Sequence, residues 1–105
     1  MRTVMNGVET TYGKVSIKVG RYSSGGAICV VLESEGEPYG VLSTNLRPYG
    51  HEIQNGEFHA KTWGENEELV QPMLAKGLFV DTGKRAQSGY VTAEVWKLVN
   101  AALVP

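Results

Sequence analysis

Apolar residues of this chain recur mainly at alternate positions, and this period of two limits the fold more than any other feature. Residues 14–20 read KVSIKVG, with Val15, Ile17 and Val19 on one side and lysine or serine on the other. Successive side chains of a strand point to opposite faces, so the pattern predicts a strand with one buried face. Further runs of strand type occupy residues 1–5, 8–12, 27–34, 39–46, 57–63, 78–81 and 90–99.

Glycine-containing segments separate these runs and predict the turns. Asn6 and Gly7 lie between residues 1–5 and 8–12, and Asn-Gly at such a point favours a hairpin turn because both residues tolerate positive φ. Residues 82–89, TGKRAQSG, separate the last two apolar runs. We interpret that segment mainly as a turn, with freedom supplied by its two glycines.

One segment has helical spacing instead. Leu69, Val70, Met73 and Leu74 form an apolar stripe that begins after Asn66, a suitable N-cap. Gly77 stands where a left-handed residue ends a helix, and Pro72 within the segment predicts a short helix. The sequence therefore predicts an α+β domain over residues 1–99: one antiparallel, curled sheet of five to seven strands with a short helix at about 66–76.

The closing residues 100–105 are assigned to a tail that is either native or left by an expression vector, and no function is placed on them. The 105 residues carry ten cations and eleven anions, a net charge of -1. This balance argues against a chain drawn to nucleic acid by its overall charge and against a polyanionic DNA mimic. The one cysteine, Cys29, lies in an apolar run and is expected to be buried and unreactive.

The cysteine count and the apolar runs also indicate where in the cell the protein is found. A single cysteine forms no internal disulfide, and no apolar stretch approaches the length that spans a bilayer. The first residues also lack the apolar core of a signal peptide. We therefore expect a cytoplasmic protein that does not enter a membrane.

No catalytic, metal or cofactor motif is present. Gly83-Lys84 lacks both the upstream glycine and the following Ser or Thr of a phosphate-binding loop. The candidate metal ligands, which show no recognised spacing, are Cys29, His51, Glu52, Glu57, His59 and Asp81. We interpret the two histidines as surface residues and predict a non-enzyme without metal or cofactor. The alternative is a small enzyme built around His51 or His59.

Two groups of charged residues are candidates for binding. One is acidic and consists of Glu33, Glu35 and Glu37, with a second acidic group at Glu65, Glu67 and Glu68. The other joins cations to aromatic residues and consists of Arg21, Tyr22, Lys84, Arg85 and Tyr90. The acids suit an arginine-rich partner, and arginine beside tyrosine suits a base or a partner side chain. The alternative explanation is that both groups are solvated side chains in turns or at the start of a helix.

Three segments together resemble a family of short domains of unknown function carried on bacterial plasmids, integrative elements and phages. They are VSIKVGRYSSGG at 15–26, GEPYGVLSTNL at 36–46 and TGKRAQSGY at 82–90. The resemblance covers about residues 6–98 and implies a mobile-element context, in which small domains often block a host-defence complex.

These observations lead to three hypotheses of function. The first is a non-enzymatic protein-binding accessory that inhibits a host-defence complex, in the manner of an anti-CRISPR or antirestriction protein. The second is an accessory that binds nucleic acid through Arg21, Lys84, Arg85 and the neighbouring tyrosines. The third is the histidine enzyme. The expected partner is a host or effector protein complex, and the chain is expected to act as a monomer or homodimer.

Overall fold

The computed structural model describes residues 1–105 and contains two four-stranded antiparallel sheets and one helical segment of twelve residues. The first sheet has the order β1-β2-β3-β4 and the second has the order β5-β6-β8-β7. The strands are β1 (Arg2–Thr10), β2 (Gly13–Arg21), β3 (Ile28–Ser34), β4 (Glu37–Val41), β5 (Ser43–Thr44), β6 (Glu57–Ala60), β7 (Phe79–Ser88) and β8 (Val91–Leu98). Short 3-10 helices span Arg47–Tyr49, Gly64–Leu69 and Ala101–Leu103, and α1 spans Val70–Ala75.

The α+β class is confirmed, but the prediction of a single curled sheet is wrong. The chain leaves the first sheet at Leu42, which is fully buried and whose amide donates to the carbonyl of Val30 at 2.9 Å. The next two residues pair with β6 in the second sheet. Alternation identifies strands but does not say which strands pair, and so it missed the division at Leu42.

The core lies between the two sheets. Val15, Ile17 and Val19 of β2 are all buried, as their alternation predicts. The second sheet contributes Phe58 and Trp96, whose ring centroids lie 6.2 Å apart in a T-shaped arrangement. Burial of such aromatic and aliphatic side chains supplies the main stabilising free energy of a small domain.

Two predicted turns are instead irregular parts of strands. β1 runs through Asn6 and Gly7, where its register with β2 shifts, and the hairpin turn falls at Thr11 and Tyr12. β7 likewise continues to Ser88, with a register shift after Asp81. Gly7 and Gly83 do have positive φ, of 65° and 86°. Bulges use this conformation as readily as turns do, which is why the glycine signal was misassigned.

The helical segment is short and ends as predicted. Gly77 has φ of 75° and donates its amide to the carbonyl of Leu74, and α1 covers only six residues around Pro72. The segment begins at Gly64, so Asn66 is not its N-cap. Leu69 and Met73 are buried, as the apolar stripe predicts. None of the helices is long and apolar enough to cross a membrane.

The side chain of Asn66 joins the helical segment to both sheets. It is buried, and its Nδ2 donates to the carbonyls of Val41 at 2.8 Å and Lys61 at 2.9 Å. These carbonyls stand at the end of β4 and just after β6. Because buried carbonyls need donors, Asn66 holds the crossing point of the chain in place.

Replacement of Asn66 by alanine should lower the free energy of unfolding by roughly 1–2 kcal/mol, since two partly buried carbonyls lose their donor. Chemical denaturation of the wild-type and variant proteins measures the difference. Asn55→Ala is the matched control because Asn55 is exposed. Equal stability of the two variants would contradict the role of Asn66.

Candidate functional site

The predicted acidic residues gather at one end of the first sheet. Adjacent antiparallel strands place the turn at Thr11 and Tyr12 beside the turn at Glu35 and Gly36. The rings of Tyr12 and Tyr39 come within 6.3 Å of each other at this end, measured between centroids. The two turns therefore form one surface, which we call the acidic end.

Two clefts open on either side of β4 at the acidic end. The tyrosine cleft has a volume of about 260 Å³ and is lined by Tyr12, Tyr39, Gly40, Glu65, Asn66 and Leu69. The β4 groove has a volume of about 360 Å³ and is lined by Val31, Leu32, Glu33, Pro38, Tyr39, Gly40 and Val41. Val41 keeps 45% of its surface exposed. The two clefts meet at Tyr39 and Gly40, where the absence of a side chain on glycine leaves the surface open.

One carboxylate lines each cleft, Glu33 in the β4 groove and Glu65 in the tyrosine cleft. Glu33 pairs with Lys18 at 3.1 Å and Glu65 pairs with Lys61 at 3.5 Å. Glu35, Glu37 and Glu68 form no ion pair. The nearby Glu68 carboxylate is the main cause that raises the pKa of the exposed Tyr12 phenol. The acidic end thus presents apolar floors with an excess of negative charge at their rims.

The edge of β4 is poorly suited to pairing with another strand. Pro38 provides no amide donor, the register with β3 shifts between Leu32 and Glu33, and the carbonyl of Val41 already accepts a bond from Asn66. These are the features with which natural sheets discourage edge-to-edge pairing. A partner at this end therefore meets side chains rather than a free backbone edge.

The predicted cationic group is divided by the fold. Arg85 makes a bidentate pair with Asp81, at 2.9 and 3.0 Å, which raises the pKa of Arg85 and lowers that of Asp81. Tyr90 is fully exposed in the turn between β7 and β8. Tyr22 is half buried with its hydroxyl 2.8 Å from Ser43 Oγ, and burial raises its pKa to about 12.

Arg21 lines a cleft at the opposite end of the first sheet, which we call the basic cleft. Its volume is about 150 Å³, and it is lined by Arg21, Ala27, Ile28, Arg47, Ile53, Gln54, Asn55, Gly56 and Glu57. Lys84 extends from β7 to the carboxylate of Glu57 on β6. Sequence reasoning missed Arg47 because nothing in the irregular segment 45–56 indicates which side chains return to the sheet.

Glu57, which pairs with Lys84, is the most buried side chain of any ion pair in the chain. The Glu57 side chain is 6% exposed, and Lys84 Nζ lies 2.7 Å from its Oε2. The amide of Gln54 donates to Oε1 at 2.8 Å. Burial alone raises the pKa of the Glu57 carboxyl, but the bonds from Lys84 and Gln54 outweigh it, so the pKa lies below its ordinary value.

The two histidines do come together, with ring centroids 6.0 Å apart. The prediction that both are surface residues is wrong for His59, which is buried on β6 between β5 and β8. Burial is the main cause that lowers the pKa of His59, with a smaller contribution from His51. No group of three His, Cys, Asp or Glu side chains is placed to hold a metal ion. Cys29 is only partly buried, contrary to expectation.

Comparison with protein-family models, with curated proteins and with solved structures gives no match to this chain. The acidic end and the basic cleft are therefore the features from which a function has to be inferred. They lie at opposite ends of β2, roughly 25 Å apart, because its nine residues each advance about 3.3 Å.

Replacement of Lys84 by methionine should lower the free energy of unfolding by roughly 1–2 kcal/mol, because the buried carboxylate of Glu57 loses its counter-charge. The cost is limited because half of the Lys84 side chain is exposed. Thermal or chemical unfolding measures it. Arg85→Gln, which removes an exposed pair, is the control and should cost less. A larger loss of stability in Arg85→Gln than in Lys84→Met would contradict the role given to the pair of Glu57 with Lys84.

Stability should fall as the pH is lowered from 7 to 5. The folded chain holds His59 neutral, whereas the unfolded chain protonates it near the ordinary pKa of about 6.5, so acidification favours the unfolded state. Unfolding curves at several pH values measure the slope. His59→Gln should flatten it, and His51→Gln should keep most of it because burial is the larger cause. An unchanged slope in His59→Gln would contradict this assignment.

Proposed function

We propose that this chain is a non-enzymatic binding protein of a mobile genetic element that inhibits a host-defence complex by occupying a basic surface with its acidic end. The observation that carries this proposal is the pair of clefts along β4, which have apolar floors and lie beside the turn carboxylates Glu35 and Glu37, neither of which has a cation partner. If the acidic turn served only to be solvated, the apolar clefts beside it would have no role. Aromatic area and unpaired charge on one surface are what a basic partner needs.

The chemistry of the tyrosine cleft suits an arginine side chain. The methylene stem of arginine packs on the rings of Tyr12 and Tyr39, and its planar head stacks on aromatic faces. Glu65 and Glu68 at the rim then accept hydrogen bonds from the guanidinium. The β4 groove, with Val41 exposed, takes apolar side chains next to that arginine.

Host-defence effectors that act on nucleic acid hold it in channels lined by lysine and arginine. A small domain with an acidic end competes with phosphate groups for those cations. The family resemblance of residues 15–26, 36–46 and 82–90 supports the mobile-element context of this proposal. A CRISPR effector or a restriction enzyme is therefore the proposed class of target.

Binding is favoured over catalysis because two of the groups that could perform acid–base chemistry, Glu57 and His59, are engaged or enclosed. The Glu57 carboxylate accepts bonds from Lys84 and Gln54. His59 is buried, and the face of β6 that it shares with Glu57 holds no third candidate ligand. A general base must reach the proton that it removes, and neither of these two side chains has such access.

A fluorescent peptide that alternates arginine and valine tests the surface chemistry directly. Tyr12→Ser should weaken its binding about tenfold, since an aromatic anchor is typically the dominant contact. Glu35→Gln combined with Glu37→Gln should slow association, with the difference shrinking at high salt. Fluorescence anisotropy and stopped-flow mixing measure both effects.

The control is Glu52→Gln, which removes one negative charge from an exposed loop position away from the acidic end. It should leave the affinity within about twofold of wild type. If Glu52→Gln slows association as much, per charge removed, as the variant at Glu35 and Glu37 does, net charge alone determines binding and the proposed surface is wrong.

The target is tested with purified CRISPR effector and restriction complexes, each mixed with this chain and separated by size-exclusion chromatography. The expected result is co-elution with at least one complex, loss of its nucleic-acid cleavage, and weaker co-elution of Tyr12→Ser. Free elution from every complex, with no protection of phage in cells that carry them, would remove the host-defence proposal.

A further inference from the structure

We propose that the basic cleft is a binding site for a phosphate-class oxyanion. Arg21 and Arg47 line this cleft, at the end of β2 opposite the acidic end. The inference is independent of the proposed function, because it uses a different surface and a ligand of opposite charge.

Charge around the cleft is the first observation. Four cations surround it: Arg21 and Arg47 in its lining, Lys84 in contact with Glu57, and Lys97, which also acts on the Glu57 carboxyl. Glu57 compensates one of them. A chain with net charge -1 thus concentrates positive charge in one concave place. A concave surface that gathers charge of one sign raises the local potential and attracts an anion.

The geometry of the two arginines is the second observation. Arg47 Nη1 donates to the carbonyl of Gly25 at 3.2 Å, and Arg21 Nη1 donates to the neighbouring carbonyl of Gly26 at 2.9 Å. Both guanidinium groups therefore bind the same loop, at adjacent carbonyls. Like charges near one place repel, and an anion bound there would offset that repulsion.

Arg47 retains donors for such an anion. Its one hydrogen bond in the chain leaves the other guanidinium N–H groups without a protein acceptor. Arg21 is more fully used, since its Nε and Nη2 both donate to the carbonyl of Pro105, at 3.0 and 2.7 Å. The planar donor fork of arginine matches the spacing of two phosphate oxygens. Arg47 is therefore the principal ligand and Arg21 the supporting one.

The pinning of the loop at 22–27 does not by itself explain both arginines. Asn45 Nδ2 already holds this loop through the carbonyl of Ser24 at 2.9 Å. A neutral amide suffices for one carbonyl, as Asn45 demonstrates. The half-buried Arg47 fixes one carbonyl with one of its guanidinium N–H groups, so its other N–H groups can bind a ligand.

The size of the cleft limits the ligand. Its volume of about 150 Å³ is smaller than that of the tyrosine cleft or the β4 groove and accommodates a single phosphate group. The remainder of a larger ligand would extend into solvent. Inorganic phosphate and the terminal phosphate of a nucleotide or nucleic-acid strand share this chemistry.

The test is titration of the 15N-labelled full chain, followed by NMR, with inorganic phosphate and with a 5′-phosphorylated single-stranded oligonucleotide. Phosphate should shift the amide signals of Gly25 and Gly56 and the Nε signal of Arg47 in a saturable manner. Arg47→Gln should weaken binding at least about tenfold because the bidentate donors are lost. Arg47→Lys, which keeps the charge and a donor for Gly25, should weaken it by a smaller factor.

Arg85→Gln is the matched control, because it removes a cation that is paired with Asp81 outside the cleft. It should leave the phosphate affinity unchanged. The oligonucleotide with a 5′-hydroxyl distinguishes the sources: weaker binding than its phosphorylated form indicates recognition of a strand end, and equal failure of both strands indicates a site for free phosphate.

Three results would overturn the inference. They are no saturable shift with phosphate or with the phosphorylated strand, equal weakening by Arg47→Gln and Arg85→Gln, and binding of both strands with equal affinity without any binding of phosphate. Should Arg47→Gln fail to fold, the comparison of Arg47→Lys with Arg85→Gln decides between these outcomes in the same way.

Discussion

The apolar contact between the two sheets is the constraint on which the rest of the structure depends. A chain of 105 residues has room for one core, and this chain builds it by turning from the first sheet into the second at the fully buried Leu42. The crossing brings two carbonyls together, and Asn66 supplies the donor for both. The same side chain positions the helical segment, and with it the carboxylates of the acidic end.

Once the apolar faces are paired, the charged residues are left at the two ends of the first sheet. The near-neutral net charge conceals this separation, because the acidic end and the basic cleft cancel in the sum. Local potential, rather than total charge, determines which partner is attracted to a surface. A small domain with one end of each sign has two separate surfaces for recognition.

The sequence predicts the strands and the helix better than it predicts their arrangement. The alternation of Val15, Ile17 and Val19 correctly predicts that their side chains are buried, and Gly77 correctly predicts the end of the helix. Gly7 and Gly83 report only positive φ, which a bulge satisfies as well as a turn. Pairing of strands distant in sequence leaves no local signal, so the second sheet was not foreseen.

The candidate sites were predictable to a similar degree. Glu33, Glu35 and Glu37 could be identified from a turn, but the approach of Glu65 and Glu68 to Tyr12 depends on the packing of the helical segment. Arg47 and the pair of Glu57 with Lys84 depend on the irregular segment 45–56, whose path no periodicity describes.

The account rests on recognition by the acidic end. Hydrogen–deuterium exchange of the chain in complex with its captured target tests this most directly. Protection concentrated in residues 9–13, 35–41 and 64–69, with residues 84–90 unaffected, is the predicted result. Protection confined to residues 84–90 or to the basic cleft, with the acidic end exchanging as in the free chain, would contradict it.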